Sequence, residues 1–278
     1  MTNTAAARSV SLTTNLDHQL EQAPEIRDLA YAVIVADGIR DLKIEQRIAL
    51  AMFYRSLQTH KAIEILLRQK LVEDARALVR VVVENEVNCA YMLVVGDEET
   101  AEDFVKHPRY WKYFLIRDLK AVDETRFRQS VPAELEVEIR KDYEELRPRF
   151  EKKPRRNSEW CVDGKLIERA AKVDERFAEF VKQPYIEFRW LVNSSWRFDS
   201  SHVHGSADAL LEQVSRSGKE ITIEQKYDPE DAAEALYIAN LALALVLRPI
   251  DLLLGAKNVA VVNARLSKFN GHTPEPVL

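Results

Sequence analysis

Glycine is scarce in this chain, with 7 in 278 residues, against roughly 7% in an average protein. Few glycines mean few turns that need positive φ. This excludes a many-stranded sandwich or barrel, and it leaves no glycine loop to cradle a phosphate. Cysteine is scarcer still: only Cys89 and Cys161 occur. Two thiols make no disulfide framework, so a reducing cytoplasmic setting is expected. No zinc-ligand spacing and no nucleophile elbow is present, and no cofactor is implied. Positive charge is not in excess: 40 Lys and Arg stand against 45 Asp and Glu, a net charge of -5. Such a surface does not draw nucleic acid or anionic lipid globally, which leaves only a local basic patch for that purpose. Long apolar runs are missing as well. The longest, Ala235–Leu247, is interrupted by Asn240 and closed by Arg248, Pro249 and Asp251. About 20 residues are needed to cross a bilayer, so this run reads as a buried core helix and no membrane is expected. Residues 1–15 are polar with one Arg and carry no apolar targeting segment.

What is present is helical. Hydrophobic residues make up 46% and charged residues 31%, and Leu, Ala, Glu, Arg and Val dominate, which is bundle composition. The expected fold is all-α: a single multi-helix bundle with one short β-strand or hairpin insertion. Residues 1–22 read as a frayed leader, 23–270 as the bundle and 271–278 as a flexible tail. The first helix is expected to start near Pro24, which suits a first-turn position. Long helices follow over about Ile44–Leu71 and Glu73–Val95. Pro108 is expected to break the segment Glu98–Val122, and a further helix opens at Pro132. Residues 147–158 hold two prolines and six Lys or Arg against one Glu, and like charge with prolines predicts an exposed basic loop. Lys219–Tyr227 alternates through Ile221 and Ile223 and is the strand candidate. Asp228-Pro229-Glu230-Asp231 reads as a helix start, and a last helix is expected near Ala256–Phe269. Leu78, Val82, Trp190, Leu241 and Leu245 are the expected core.

Two polar groupings stand out. Arg76, Arg80, Glu84 and Asn88 recur every four residues in an otherwise apolar helix. They form one slowly drifting stripe, read either as a solvated ion-paired face or as a partly buried cluster serving a site. The second grouping is Ser194–Ser206, which holds two of the six histidines, one Arg, one Asp and five serines. If it is helical, Arg197 and His204 nearly eclipse each other. If it is extended, His202 and His204 share a face. A capped helix end with locally satisfied histidines is the plainer reading. A metal site built on His202, His204 and Glu84 lacks the further carboxylates such a pair normally needs.

The pattern Ala75–Glu84 (Ala-Arg-Ala-Leu-x-Arg-x-x-x-Glu) followed by Ser201–Gly205 (Ser-x-x-His-Gly) resembles an uncharacterised bacterial family of helical domains. Arg197-x4-His202 and Arg197-x6-His204 also resemble the Arg-x4-6-His motif of HEPN domains. That resemblance implies an all-α, usually dimeric bundle, and a metal-independent ribonuclease of the toxin–antitoxin or phage-defence kind. Phe198 stands where ribonuclease members often carry a small polar residue. The chemistry suits the residues. His204, with His202 as second choice, is the expected proton-transfer group, and Arg197 the cation at the phosphate. Arg80 would be an accessory cation and Glu84 the carboxylate that fixes the arginines. Arg76, Asn88, Lys153, Arg155 and Arg156 are the expected substrate contacts, the last three tracking an RNA backbone. Arg80, Glu84, Arg197 and His204 are expected to converge. A homodimer is expected from the apolar richness of Ala235–Leu254 and the dimeric habit of the resembled domains. The competing reading is a non-catalytic helical sensor or scaffold that binds a protein partner, such as an antitoxin, or a small ligand.

Overall fold

A computed structural model describes residues 15–35, 41–151, 160–161, 164–181, 187–196, 214–217, 220–223 and 227–254. The chain folds as an all-α bundle. Its helices are α1 (Leu16–Val35), α2 (Ile44–Arg68), α3 (Val72–Val94), α4 (Glu98–Val122), α5 (Glu124–Ser130), α6 (Ala133–Phe150), α7 (Leu166–Val181), α8 (Glu187–Leu191) and α9 (Pro229–Leu254). One turn of π-helix, Val192–Trp196, extends α8. Strands β1 (Val214–Ser217) and β2 (Glu220–Ile223) form an antiparallel hairpin with Val214 opposite Ile223. It is the sole sheet among the described residues.

The α2–α3 hairpin is the axis of the fold. Its turn is a Schellman closure. Leu71 N–H donates to Leu66 O at 2.9 Å and Lys70 N–H to Leu67 O at 3.0 Å, with Lys70 at φ 63°. These bonds satisfy carbonyls that the end of α2 would leave bare. At the end of α3, Gly96 donates to Tyr91 O at 2.8 Å, and a Cβ there would stand 2.7 Å from Met92 O, so only glycine fits.

α9 lies in the middle of the core. Ala232, Leu236, Ala239, Ala242, Leu243, Val246, Leu247 and Ile250 are all fully buried, against α1, α2 and α3. Pro229–Asp251 has the length and apolarity to cross a membrane, yet 83% of its most apolar window is buried inside the bundle. The run Ala235–Leu247 is therefore enclosed by this chain's own helices.

Five sequence expectations need correction. α1 begins at Leu16 and carries Pro24 in its interior. Asn15 starts it by accepting the Asp17 N–H at 2.9 Å, and the buried Gln19, Ala23 and Ile26 pin both flanks of the proline to the core. Thus 16–22 belongs to the bundle and not to a leader. α4 runs unbroken through Pro108. One missing hydrogen bond is outweighed there by Tyr110, fully buried and packed on Tyr143 and Phe150. Trp190 is 43% exposed, because the short α8 turns its Phe188 and Leu191 inward instead. Leu78 is only partly buried, while Val82, Leu241 and Leu245 are buried. The basic stretch begins as helix: Arg147, Pro148 and Arg149 are the last turn of α6. Residues 152–159, the segment expected as a last helix and the tail lie outside the described residues.

α4 and α6 build a second, smaller core. Tyr110, Tyr143, Leu146 and Phe150 form it, flanked by Tyr113 and Phe114, and Tyr113 stacks on Tyr143 at 3.9 Å.

Candidate functional site

The stripe on α3 divides as it drifts. Each four-residue step turns the helix by about 40°, so four positions spread across a third of its circumference. Arg76 is part-buried and reaches α9, where Asp231 and Glu234 hold it at 3.5 and 3.3 Å. Arg80 is half-buried and engaged, Glu84 is exposed, and Asn88 is buried with its Oδ1 unpaired. Arg76 thus ties α3 to α9. The four residues of the stripe thus meet different surroundings.

The Arg197 segment is approached through α7 and α8. Asp174 is fully buried in α7, where Ala170, Val173 and Phe177 share its apolar face. Its Oδ1 accepts the Phe188 N–H at 3.0 Å, and its Oδ2 accepts the Arg189 N–H at 2.9 Å. Arg189 Nε donates to the same Oδ2 at 3.2 Å. One carboxylate from a neighbouring helix therefore caps the free amides at the start of α8. Burial pushes the Asp174 carboxyl above its usual range, and the Arg189 and Phe188 amides and the Arg189 guanidinium pull it back. Glu187 is raised too, chiefly by desolvation and then by the Asp174 charge, against Arg248. Tyr237 on α9 is raised by desolvation and by Glu187.

Beyond α8 the backbone widens into the π-turn, a geometry frequent at functional sites. The widened turn frees carbonyls, and side chains cover them. Asn193 Nδ2 donates to Arg189 O at 2.9 Å, and Ser194 Oγ donates to Trp190 O at 2.8 Å. The turn packs against α3 and α7. The chain thus reaches residue 196 seated on α3, the helix that carries Arg80 and Glu84. Arg197, His202, His204, Lys153, Arg155 and Arg156 lie outside the described residues. Among the described residues, no three His, Cys, Asp or Glu side chains gather where they could hold a metal ion.

A second polar assembly, unforeseen in the sequence, crosses the core between α1, α2 and α9. Arg27 Nη1 donates to His60 Nδ1 at 2.9 Å, and Arg27 Nη2 meets Glu64 at 2.5 Å. Arginine has no acceptor, so His60 Nδ1 is the bare nitrogen and Nε2 carries the proton. Nε2–H then donates to Asn240 Oδ1 at 2.8 Å, and Asn240 Nδ2 donates to Gln19 Oε1 at 2.8 Å. Burial and the Arg27 charge push the His60 pKa down to about 4, so the ring is neutral and its bonds are structural. The signals for both assemblies were the same kind: Asp174, His60 and Asn240 are polar residues at positions where the apolar stripe of a helix continues.

A family model described as "Family of unknown function (DUF5677)" matches residues 46–221, from α2 through the start of β2. No curated protein and no solved structure matches the chain.

Proposed function

This chain belongs to the DUF5677 family, and from that premise we propose that it is a HEPN-like, metal-independent endoribonuclease of a toxin–antitoxin or phage-defence system. The observation that carries the reading is a juxtaposition. The Arg197-x4-His202 and Arg197-x6-His204 motif starts one residue after a π-turn packed on α3, and α3 carries Arg80 and Glu84. In this reading His204, or His202 in its stead, takes the proton from a ribose 2′-hydroxyl. The 2′-oxygen attacks phosphorus, the bond to the 5′-oxygen breaks as that oxygen takes the proton back from the imidazolium, and a cyclic phosphate and a 5′-hydroxyl result. Arg197 faces the charge on the phosphorane and Arg80 supports it. Glu84 orients the arginines, and Lys153, Arg155 and Arg156 contact the RNA; Asn88, expected among the contacts, is buried and makes none. Arg76 contributes less, because acids of α9 already hold it. The enzyme works in the cytoplasm as a homodimer.

The test is incubation of the full chain with labelled single-stranded RNA in EDTA, beside Arg197→Ala and His204→Ala. Cleavage by the wild type that both variants lose supports the reading. Absence of cleavage by the wild type, or cleavage that survives both substitutions, ends it.

One feature favours the alternative, a non-catalytic scaffold. α4 leaves Val105, Trp111, Leu115, Leu119 and Val122 between 44% and 86% exposed. A helix that keeps a row of large apolar side chains in water is a common mark of a partner-binding face. Binding to an antitoxin through α4 is compatible with both readings. Only the RNA assay separates them.

A further inference from the structure

We propose that the exposed row of α4 is the seam of a homodimer, in which two copies of this chain lay their α4 helices antiparallel with Leu115 on the two-fold axis. The proposal takes from the ribonuclease reading only the expectation of a homodimer, and it needs none of the RNA chemistry.

α4 has two apolar faces. The inner one turns Tyr110 and Phe114 toward α6, where both pack on Tyr143. The outer one starts at Ala101 and Phe104. Ala101 is fully buried, and Phe104 packs on the main core with its ring centre 5.1 Å from that of Trp160. Beyond Phe104 the same face continues in steps of three and four residues through Pro108, Trp111, Leu115, Leu119 and Val122. Such steps keep it on one side of the helix. There it meets water: Trp111, Leu115, Leu119 and Val122 are 44%, 55%, 50% and 86% exposed. One face is thus covered by the body at its start and bare over a further length of about 20 Å.

Three features select a second copy as what covers it. The spacing is its own mirror image: Trp111 and Leu119 stand four residues before and after Leu115, and Pro108 and Val122 stand seven before and after. A second α4 turned end for end about Leu115 therefore sets Trp111 of each copy beside Leu119 of the other, and Pro108 beside Val122. A two-fold interface requires this self-match, and a foreign helix would place no such condition on the spacing. Next, no member of the row is charged. Lys112 and Asp118 flank it on opposite edges, three residues either side of Leu115. Pairing buries neither charge, and the reversal offsets the two Lys112 residues by about 9 Å along the axis. Last is area. With Val105, which is 54% exposed, the row presents roughly 500 Å² of apolar surface, so two copies would withdraw roughly 1,000 Å² from water, the threshold of a specific interface. The resulting layer, α6–α4–α4–α6, gives α4 cover on both faces.

The experiment uses the full chain without RNA. Light scattering from about 1 to 100 µM should give twice the monomer mass for the wild type. Leu115→Glu sets two carboxylates against each other on the axis and should weaken association by about a hundredfold or more. The substituted side chain is half exposed in the single chain, so the helical circular dichroism should stay unchanged. Direction is read by cross-linking, since Cys89 and Cys161 are both buried and an introduced thiol reports by itself. Under mild oxidation Leu115→Cys should form a linked dimer. Leu119→Cys alone should not, because its two copies are offset by about 12 Å along the axis, whereas Leu119→Cys mixed with Trp111→Cys should link. A wild type that stays monomeric throughout overturns the seam and leaves the row to a foreign helix, such as that of an antitoxin. A dimer that survives Leu115→Glu, or Leu119→Cys that links to itself as readily as Leu115→Cys, overturns the antiparallel α4 pairing. The RNA assay is decided separately: a dimer that cleaves no RNA ends the ribonuclease reading and leaves the seam standing, and a monomer that cleaves RNA ends the seam and leaves the enzyme.

Discussion

The body around α9 and the α4–α6 arm are stabilised in opposite ways. In the body the core is aliphatic, and it joins parts of the chain far apart in sequence: Asn240 bonds Gln19 across 221 positions. It carries polar groups inside, and the His60–Asn240–Gln19 ladder is paired there. In the arm the core is aromatic, with Tyr110, Tyr113, Phe114, Tyr143 and Phe150 in mutual ring contact. The ion pairs of the arm lie mostly at the surface, as in Lys106–Glu102 at 2.7 Å and Lys120–Glu136 at 2.8 Å, where such pairs contribute about 0–1 kcal/mol. The arm therefore depends on a few rings, and it keeps one side of α4 uncovered. The body depends on closure from every side. A molecule built this way closes one part on itself and leaves an apolar row of the other exposed.

Removing core volume should give the largest effect and expose the difference. Leu236 is fully buried in α9, and Leu236→Ala should lower the unfolding free energy by about 3–5 kcal/mol. Leu146→Ala in the arm should cost about 2 kcal/mol, near the low end, because two helices relax around a lost side chain more easily than five. Denaturant unfolding gives both numbers. Hydrogen exchange adds a sharper reading: Leu146→Ala should speed exchange over 98–150 and leave α2, α3 and α9 unchanged. Equal acceleration in both regions would mean that arm and body are one cooperative unit.

The polar ladder of the body comes next. Asn240→Ala leaves the His60 Nε2–H and the Gln19 amide without their partner, at a cost of about 1–3 kcal/mol. The ladder also has a pH signature. The folded pKa of His60 is depressed from 6.5 to about 4, so between those values the unfolded chain binds a proton that the folded chain refuses. Stability is complete above pH 6.5 and falls as pH drops through that window, by up to about 1.4 kcal/mol per pH unit. His60→Gln should flatten that slope. A slope that persists in the variant would assign it to carboxylates such as Glu64, whose pKa the Arg27 and Arg68 bonds hold down.

Glu86 is the counter-case inside the same body. It is fully buried between α2 and α3, and neither carboxyl oxygen has a well-formed hydrogen bond. Burial pushes the carboxyl well above the usual range, against the pull of the Ser56 hydroxyl. The folded state keeps the proton, so unfolding releases it once pH exceeds the ordinary value of 4.5. Stability then declines as pH rises, by at most about 1.4 kcal/mol per unit. Glu86→Gln should remove that decline, as read by thermal melts across a pH series above 4.5.

The helical fold was legible because periodicity and composition agree over most of the chain, and α9 shows why: a run bounded by Asp228-Pro229 and by charge has only one way to bury itself. The two prolines misread as ends, Pro24 and Pro108, show the limit. A proline argues locally, and the contacts that Tyr110 and Gln19 make with other helices overrule it. Trp190 fails for the same reason, since a large apolar residue on a five-residue helix competes with two neighbours for one inner face. At the candidate site the drifting stripe on α3 is legible in the sequence, but the partners of its members are not, and Arg76 belongs with the acids of α9. Asp174, His60 and Asn240 were each visible as polar residues on apolar stripes. Their partners were not, because they stand 14 to 221 positions away.

The smallest effect tests the turn on which α2 and α3 reverse. Lys70 holds φ 63°, a conformation that costs an L-residue about 1 kcal/mol and costs glycine almost nothing. Lys70 also places its ammonium 5.3 Å from the centre of the Tyr227 ring, worth about 0.5 kcal/mol at an exposed site. The two terms oppose each other, so Lys70→Gly should stabilise by only a few tenths of a kcal/mol. Combining it with Tyr227→Leu separates them, since the ring contact is then already gone and the gain from glycine should approach about 1 kcal/mol. No gain in either background would show that the Leu71–Leu66 and Lys70–Leu67 bonds of the closure, and not the sign of φ, govern the turn.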